Sequence, residues 1–215
     1  GEQAKLLYND AKKMLDDVII KNQLTADAVF GIYPAKSKNE SVNVEGCKFN
    51  FPRQLVDKGP DKINYSLADF ISPDQDWIGM FAVTTGKGIE DVISEFEKDH
   101  DDYRIIMIKA IADRLAEAFA EKLHQMIRVD YWGYSTEKNM SIEQLIKEKY
   151  NGIRPAPGYP ACPSHEEKDK IWEILDVEKE VGITLTESRA MYPAASVSGW
   201  YFSHPNSVYF SVLNN

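Results

Sequence analysis

Arg154, Gly158 and Tyr159 stand within RPAPGYPACPSH (154–165), a stretch in which four of twelve residues are proline. Arginine is a permanently charged, fork-shaped donor suited to a carboxylate. A tyrosine ring offers its face to a cation or a flat ring. Glycine permits close approach of a ligand to the backbone, or an unusual φ. Pro155, Pro157, Pro160 and Pro163 each fix φ and remove an amide donor, and each pushes the preceding residue into extended geometry. The segment therefore cannot be helical and loses little entropy when it is ordered. It can present carbonyls and the remaining amides, notably those of Ala156, Gly158, Tyr159 and Ala161. Such a loop suits a zwitterionic ligand with a ring and a positive centre. It suits equally a rigid connection between two helices, and composition does not choose between them.

Other candidates are less specific. Asp113 and Glu117 are four apart in a long periodic segment, so they project from one side of a helix. On spacing alone they form a solvated face. Cys162 and His165 have a permitted ligand spacing, and Cys47 and His204 could complete a set. However, His165 falls in the first turn of a helix, beside its cap, and no second close pair exists, so no metal site is predicted. Gly86–Lys87–Gly88 lacks the further glycines of a nucleotide fingerprint and reads as a strand-to-helix turn. No nucleophile with a matching base is evident, and no catalytic residue is assigned.

The elements that must position these residues follow from periodicity. Residues 3–22 have helical spacing. Ala28–Tyr33 reads as a strand stopped by Pro34. Val42–Phe51 reads as two strands about a turn at Gly46, and Leu55–Gly59 as a loop. WIGMFAVT (77–84) is an apolar run of strand length, as expected of a strand buried on both faces. Ile89–His100 and Tyr103–Trp132 are predicted helices. In the second, Ile106, Ala110, Asp113, Glu117, Ala120 and His124 lie near one stripe, with Ile105, Ile108, Ala112, Leu115, Phe119, Leu123 and Ile127 on another. Ser141 with Gln144, and Ser164 with Glu167, have capping-box spacing. The first of these two helices should end at Tyr150–Gly152 and the second near Gly182. From Ile183 the pattern turns to strands: ITLTESRAMYP, VSGWYFSHP and SVYFSV, the last two separated by an HPNS turn. Helices and strands mix without strict alternation. The predicted class is α+β, a single domain over 1–215 with a mixed, largely antiparallel twisted sheet flanked by helices.

With 43% hydrophobic residues, the 215-residue chain can build a core. Its net charge of −9 disfavours nucleic acid. No apolar run approaches bilayer-spanning length, and the first residues lack a signal-peptide core. Two distant cysteines are most simply free thiols. These features are those expected of a cytoplasmic protein without nucleic-acid or membrane partners.

Five blocks then become specific together: RPAPGYPACPSHEEK (154–168), TESRAMYPAASVSGWYFSHPNSVYF (186–210), DDYRIIMIKAIADRLAEAFAEKLHQMIRVDYWGY (101–134), DWIGMFAVTTG (76–86) and YSLADF (65–70). In this order they resemble the activation domain of cobalamin-dependent methionine synthase over nearly the whole chain. The resemblance implies a domain that binds S-adenosylmethionine and docks on the cobalamin-binding domain of the same enzyme. There, an electron from a flavodoxin-like or other flavoprotein donor, coupled to methyl transfer from S-adenosylmethionine, restores methylcobalamin from cob(II)alamin.

The resemblance also implies site residues. Arg154, Ala156, Gly158 and Tyr159 match the family's R-x-x-x-G-Y ligand loop. Tyr209 and Phe210 match a ligand-contacting aromatic pair whose second member is usually tyrosine, a change that a backbone contact would survive. Asp113 and Glu117 match acidic residues of the long helix, with Glu117 a partner for the ligand's amino group, which reverses the solvated-face reading. His165 and Glu167 are expected to shape the loop and its helix cap. Relative to the family the chain is shorter at both ends and lacks an upstream acidic ligand residue, so the isolated domain is expected to be inactive alone. The rival readings are a stand-alone reactivation domain for another corrinoid protein and a non-catalytic interaction module. A conventional methyltransferase lacks support, because the glycine-rich nucleotide turn is absent.

Overall fold

The computed structural model describes residues 1–55 and 63–213. Beyond Leu55, the loop expected at Leu55–Gly59 lies outside the described residues. In chain order the elements are α1 (Glu2–Lys21), β1 (Thr25–Lys38), β2 (Ser41–Val44), β3 (Cys47–Asn50), a 3-10 turn (Leu67–Phe70), β4 (Asp76–Lys87), α2 (Ile89–Lys98) and α3 (Asp102–Met126), which continues into a π-helical turn (Ile127–Tyr131). Then come α4 (Ile142–Ile146), α5 (Glu167–Leu175), α6 (Val177–Val181), β5 (Thr184–Leu185), β6 (Met191–Tyr192) and β7 (Ser196–Tyr201). The chain forms two compact units.

The first unit comprises residues 1–28, 83–121 and 181–197. Its core joins Met14 and Val18 of α1 to Ile89, Val92 and Ile93 of α2 and to Met107, Ile108, Ala112 and Ala116 of α3. The Thr85 hydroxyl donates to the Ala112 carbonyl at 2.7 Å, fixing the end of β4 against α3. Of the expected turn Gly86–Lys87–Gly88, the first two residues complete β4, and Gly88 alone makes the turn and caps α2. Of the predicted apolar stripe, Ile108, Ala112, Leu123 and Ile127 are buried and the rest half-buried, with Met107 and Ala116 added to it, whereas Ile106 is 69% exposed. The predicted stripe through Ile106, Ala110, Asp113 and Glu117 faces solvent and turns inward only at Ala120. Gly182, with φ 67°, follows α6 as the predicted stop. β5 and β6 form a small antiparallel pair.

The second unit comprises residues 29–82, 122–180 and 198–215, and all five strands of the main sheet enter it, in the order β3–β2–β1–β4–β7. β1, β2 and β3 pair antiparallel. The β2–β3 turn is Glu45–Gly46, with φ of 48° and 83°; two such residues in succession make the tight hairpin turn whose twist matches the strands. β4 is buried continuously from Ile78 to Gly86, as its apolar run predicted. The two edge strands come together as the sheet curves. Trp200 of β7 meets Phe49 and Phe51 edge-on, at centroid distances of 5.6 and 5.0 Å. The protein is α+β with a curved, antiparallel sheet flanked by helices.

Four expectations need correction. Pro34 does not stop β1, which runs to Lys38. Pairing with β2 begins at Ala35, so the missing Pro34 amide falls outside that ladder. The Ser141–Gln144 capping box forms, but α4 ends at Ile146 rather than at Tyr150–Gly152. The Ser164–Glu167 box does not form. Ser164 accepts from the Glu166 amide, α5 begins at Glu167, and the Glu167 carboxylate is turned to β3 instead. SVYFSV is not a strand. After the turn at His204–Ser207, residues 207–212 run beside the proline-rich loop, which has too few amides to build a ladder.

Candidate functional site

The proline-rich loop lies in the second unit and is held from both sides. Ile153 and Phe202 exchange two backbone hydrogen bonds of 3.0 Å, and the Trp200 amide donates to the Pro155 carbonyl at 3.0 Å. The seat is close: a Cβ on Gly199 would strike the Pro155 carbonyl oxygen. On the other side, the Val212 amide donates to the Pro160 carbonyl at 2.9 Å, and Gln54 Nε2 donates to the Ser211 carbonyl at 2.8 Å. Between these anchors the loop turns back on itself. Gly158 N–H donates to Cys162 O at 2.8 Å, and Cys162 N–H donates to Tyr159 O at 2.9 Å. Gly158 has φ 89°, and a side chain there would meet the His165 ring, so both conformation and space demand glycine. The Gly158 and Tyr159 amides are used inside the turn, which leaves the Ala156 amide outside those bonds.

The loop and the C-terminal segment meet at the predicted residues. The Arg154 amide donates to the Tyr209 hydroxyl at 2.9 Å. Tyr159 is 59% and Tyr209 42% exposed, so both rings have a face to offer. Phe210 packs its ring on Tyr65 and Phe70, at 5.8 and 6.4 Å, a role that needs no hydroxyl. Asp113 and Glu117 lie in the first unit, on the exposed face of α3.

Three residues around Arg154 were not singled out from sequence. Arg154 Nη1 donates to the Tyr150 hydroxyl at 3.1 Å and lies 3.4 Å from His124 Nδ1. His124 Nε2 lies 3.3 Å from the Tyr134 hydroxyl. Burial, then the Arg128 and Arg154 charges, hold the His124 pKa well below 6.5. Burial raises the Tyr134 phenol. In sequence, His124 shows only as a member of a helical stripe, and the tyrosines lie in segments without periodicity.

His165 and Glu167 shape the loop's support. The His165 ring lies beneath Gly158 and beside Lys168 Nζ, 3.2 Å from Nδ1. The buried Glu167 carboxylate accepts from Asn50 N and Nδ2, at 3.2 and 3.4 Å, and from Lys170 Nζ at 2.6 Å, fastening α5 to β3. Glu167→Ala is expected to cost about 2 kcal/mol, because the Asn50 amide and side chain lose their bonds to a buried carboxylate. Urea unfolding checks this; a loss under about 0.5 kcal/mol would count against that account. Cys162 is buried and its thiol is pushed up to about 12 by burial first, then by Glu167. It is therefore protonated at neutral pH, a poor nucleophile and a poor metal ligand. Among the described residues, no three His, Cys, Asp or Glu side chains assemble a metal site.

The geometry defines an α+β domain that presents a proline-locked loop, carrying a fixed arginine and an open tyrosine, between its curved sheet and its C-terminal segment. The chain belongs to the family of vitamin B12 dependent methionine synthase activation domains, whose model matches residues 1–214. A similar solved structure is the crystal structure of the MetH reactivation domain bound to AdoHcy. It is 48% identical with a TM-score of 0.94, over 99% of this chain and 69% of that one.

Proposed function

We propose that this domain binds S-adenosylmethionine at the 154–159 loop and supports reductive reactivation of cobalamin-dependent methionine synthase. The observation that carries the reading is the 2.9 Å bond between the Arg154 amide and the Tyr209 hydroxyl. It joins the two segments that the resemblance assigns to the ligand into one rigid unit. The relative that is 48% identical was crystallised bound to AdoHcy, the demethylated form of this ligand.

The chemistry of the residues fits the ligand. The Arg154 guanidinium, steadied by Tyr150 and His124, suits the ligand's carboxylate. The exposed Tyr159 ring suits a sulfonium or an adenine face. Gly158 allows close backbone approach, and the Ala156 amide is a donor for the adenine. Tyr209 holds the loop at the Arg154 amide, and the adjacent Phe210 packs on Tyr65 and Phe70. Glu117 is assigned to the ligand's amino group, and Asp113 to the family's acidic positions, on the resemblance alone.

Cobalamin, held by a neighbouring domain of the full enzyme, supplies the cobalt that accepts the methyl group. This chain's part is to hold the methyl donor in a near-attack position, as positioning alone can supply a large share of a barrier. Docking on the cobalamin-binding domain, a flavodoxin-like or other flavoprotein electron donor and a cytoplasmic setting complete the proposal. The net charge of −9 suits a partner with a basic face.

Titration calorimetry with S-adenosylmethionine and with S-adenosylhomocysteine tests the assignment. Arg154→Ala is expected to weaken both by about 10–100-fold, the worth of one charge-assisted carboxylate contact. No saturable heat from the wild type would overturn the assignment and favour a plain interaction module.

A further inference from the structure

The geometry points to His124 as a positioning residue: as the neutral Nε2–H tautomer, it holds the Arg154 guanidinium in the orientation that receives the ligand carboxylate. The inference rests on the assignment of the 154–159 loop as the ligand site.

A buried histidine is most often a satisfied core residue. Here the demands of its partners go further, because they select one protonation state. Arg154 Nη1 has only protons to give, so His124 Nδ1, 3.4 Å away, must present its lone pair. In the neutral ring the proton then sits on Nε2 and is donated to the Tyr134 hydroxyl at 3.3 Å. Tyr134 is itself fixed, edge-on to Trp132 at 5.4 Å, and its hydroxyl lies where a side chain on Gly152 would fall.

The plane of the imidazole is fixed as well. It stacks on Tyr201 at 5.1 Å and 18°, and Tyr201 stacks in turn on Phe81 at 4.6 Å and 18°. Tyr150 meets it edge-on at 5.3 Å. The Tyr150 hydroxyl takes a second contact from the same Arg154 nitrogen, at 3.1 Å. Tyr150 is held by Arg128, whose guanidinium carbon lies 3.7 Å over its ring. Two chains of fixed groups thus converge on one nitrogen of Arg154: Phe81–Tyr201–His124 and Arg128–Tyr150.

Among the described residues, the groups that meet His124 or act on its charge are Arg128, Arg154, Tyr134, Tyr150 and Tyr201, and none of these is an anion at neutral pH. Protonation would turn Nδ1 from an acceptor into a donor aimed at a donor, and would set a third positive charge beside two arginines. The neutral ring therefore keeps Arg154 in place, and a pre-aimed arginine loses less freedom on meeting its ligand.

Two measurements test this on the full chain. In the first, S-adenosylhomocysteine and 5′-methylthioadenosine, which lacks the amino-acid carboxylate, are titrated into the wild type, His124→Phe and His124→Asn. Phe keeps the ring and its stack but has no acceptor, whereas Asn offers an oxygen near the place of Nδ1. His124→Phe should weaken S-adenosylhomocysteine about tenfold and leave methylthioadenosine within about twofold, with Asn recovering most of the loss. Equal losses for both ligands, or no loss, would overturn the positioning role. The second measurement, imidazole 15N shifts against pH, needs no ligand. It should show the neutral Nε2–H tautomer persisting below the ordinary histidine range. An Nδ1–H tautomer, or protonation near the ordinary value, sinks the inference whatever binds. A wild type silent to S-adenosylhomocysteine, with the expected tautomer, would instead sink the loop assignment, and with it the role given to Arg154.

Discussion

Trp200→Ala is expected to destabilise the protein by about 4 kcal/mol, at the upper end of what a single core truncation removes. Trp200 is fully buried in β7. Its ring fills the space where the curved sheet brings its two edge strands together, against Phe49 and Phe51 from the β3 side at 5.6 and 5.0 Å. Phe51 also packs edge-on to Phe202 at 5.8 Å, so the cluster extends past the end of β7. Cutting the indole back to a methyl group leaves a cavity whose walls belong to separate strands. Those strands cannot close on it without uncurling the sheet, and the collapse that would lower the cost is blocked. The indole N–H finds no acceptor among the described residues. Trp200→Phe should therefore lose only packing volume and cost roughly half as much. Urea unfolding of both variants decides the matter. A loss below about 2 kcal/mol for the alanine variant would show that the edges are held together by something other than this ring.

The reason that Trp200 could not be assigned this role from sequence is instructive. WIGMFAVT was legible as a strand because it is an almost continuous apolar run of strand length, and VSGWYF because Pro193 and the HPNS turn bound it. That Trp200 would meet Phe49 required the strand order β3–β2–β1–β4–β7 and the curvature of the sheet, and neither leaves a local signal. The helices and the Gly46 turn were legible for the opposite reason, since periodicity and turn chemistry are local. Two of the misread features, the box at Ser164 and the strand at SVYFSV, share one cause. Both sequences satisfy a local rule, and in both a long-range partner prevails. Glu167 is drawn to the Asn50 amide of β3, and residues 207–212 lie against prolines that cannot offer a ladder.

The site divides in the same way. The loop's rigidity and the identities of Arg154, Gly158 and Tyr159 were readable from composition. Tyr209 and Phe210 came only with the resemblance, because fifty-odd residues separate them from the loop, which Tyr209 meets at the Arg154 amide. His124, Tyr134 and Tyr150 remained unmarked. Their roles come from hydrogen bonds between a helix end and two irregular segments, and no spacing encodes such contacts.

Gly199→Ala should damage both stability and binding, and it tests whether the loop's seat on β7 is what aims Arg154. The added Cβ would strike the Pro155 carbonyl oxygen and would lie 3.3 Å from both Ala156 Cα and Phe81 Cε1. Two of these three neighbours are loop backbone, so no side-chain rotation relieves the contact. The loop must lift, and the Trp200 N–H to Pro155 O bond of 3.0 Å must lengthen. Overpacking of this kind costs about 2–3 kcal/mol. Because Pro155 adjoins Arg154, lifting the loop also moves the guanidinium off Tyr150 and His124, and affinity for S-adenosylhomocysteine should fall by about 10–100-fold. Gly46→Ala is the control. Gly46 also needs glycine, with φ 83°, but nothing lies within 4 Å of its would-be Cβ. It should cost about 1 kcal/mol through backbone conformation alone and leave affinity unchanged. Unfolding and calorimetry on the two variants separate a general loss of stability from a displaced loop. If Gly199→Ala loses stability but binds as tightly as Gly46→Ala, Arg154 is aimed by His124 and Tyr150 and not by the strand beneath it. If it loses both, the close approach of Pro155 to Gly199 is the contact through which the sheet sets the geometry of the site.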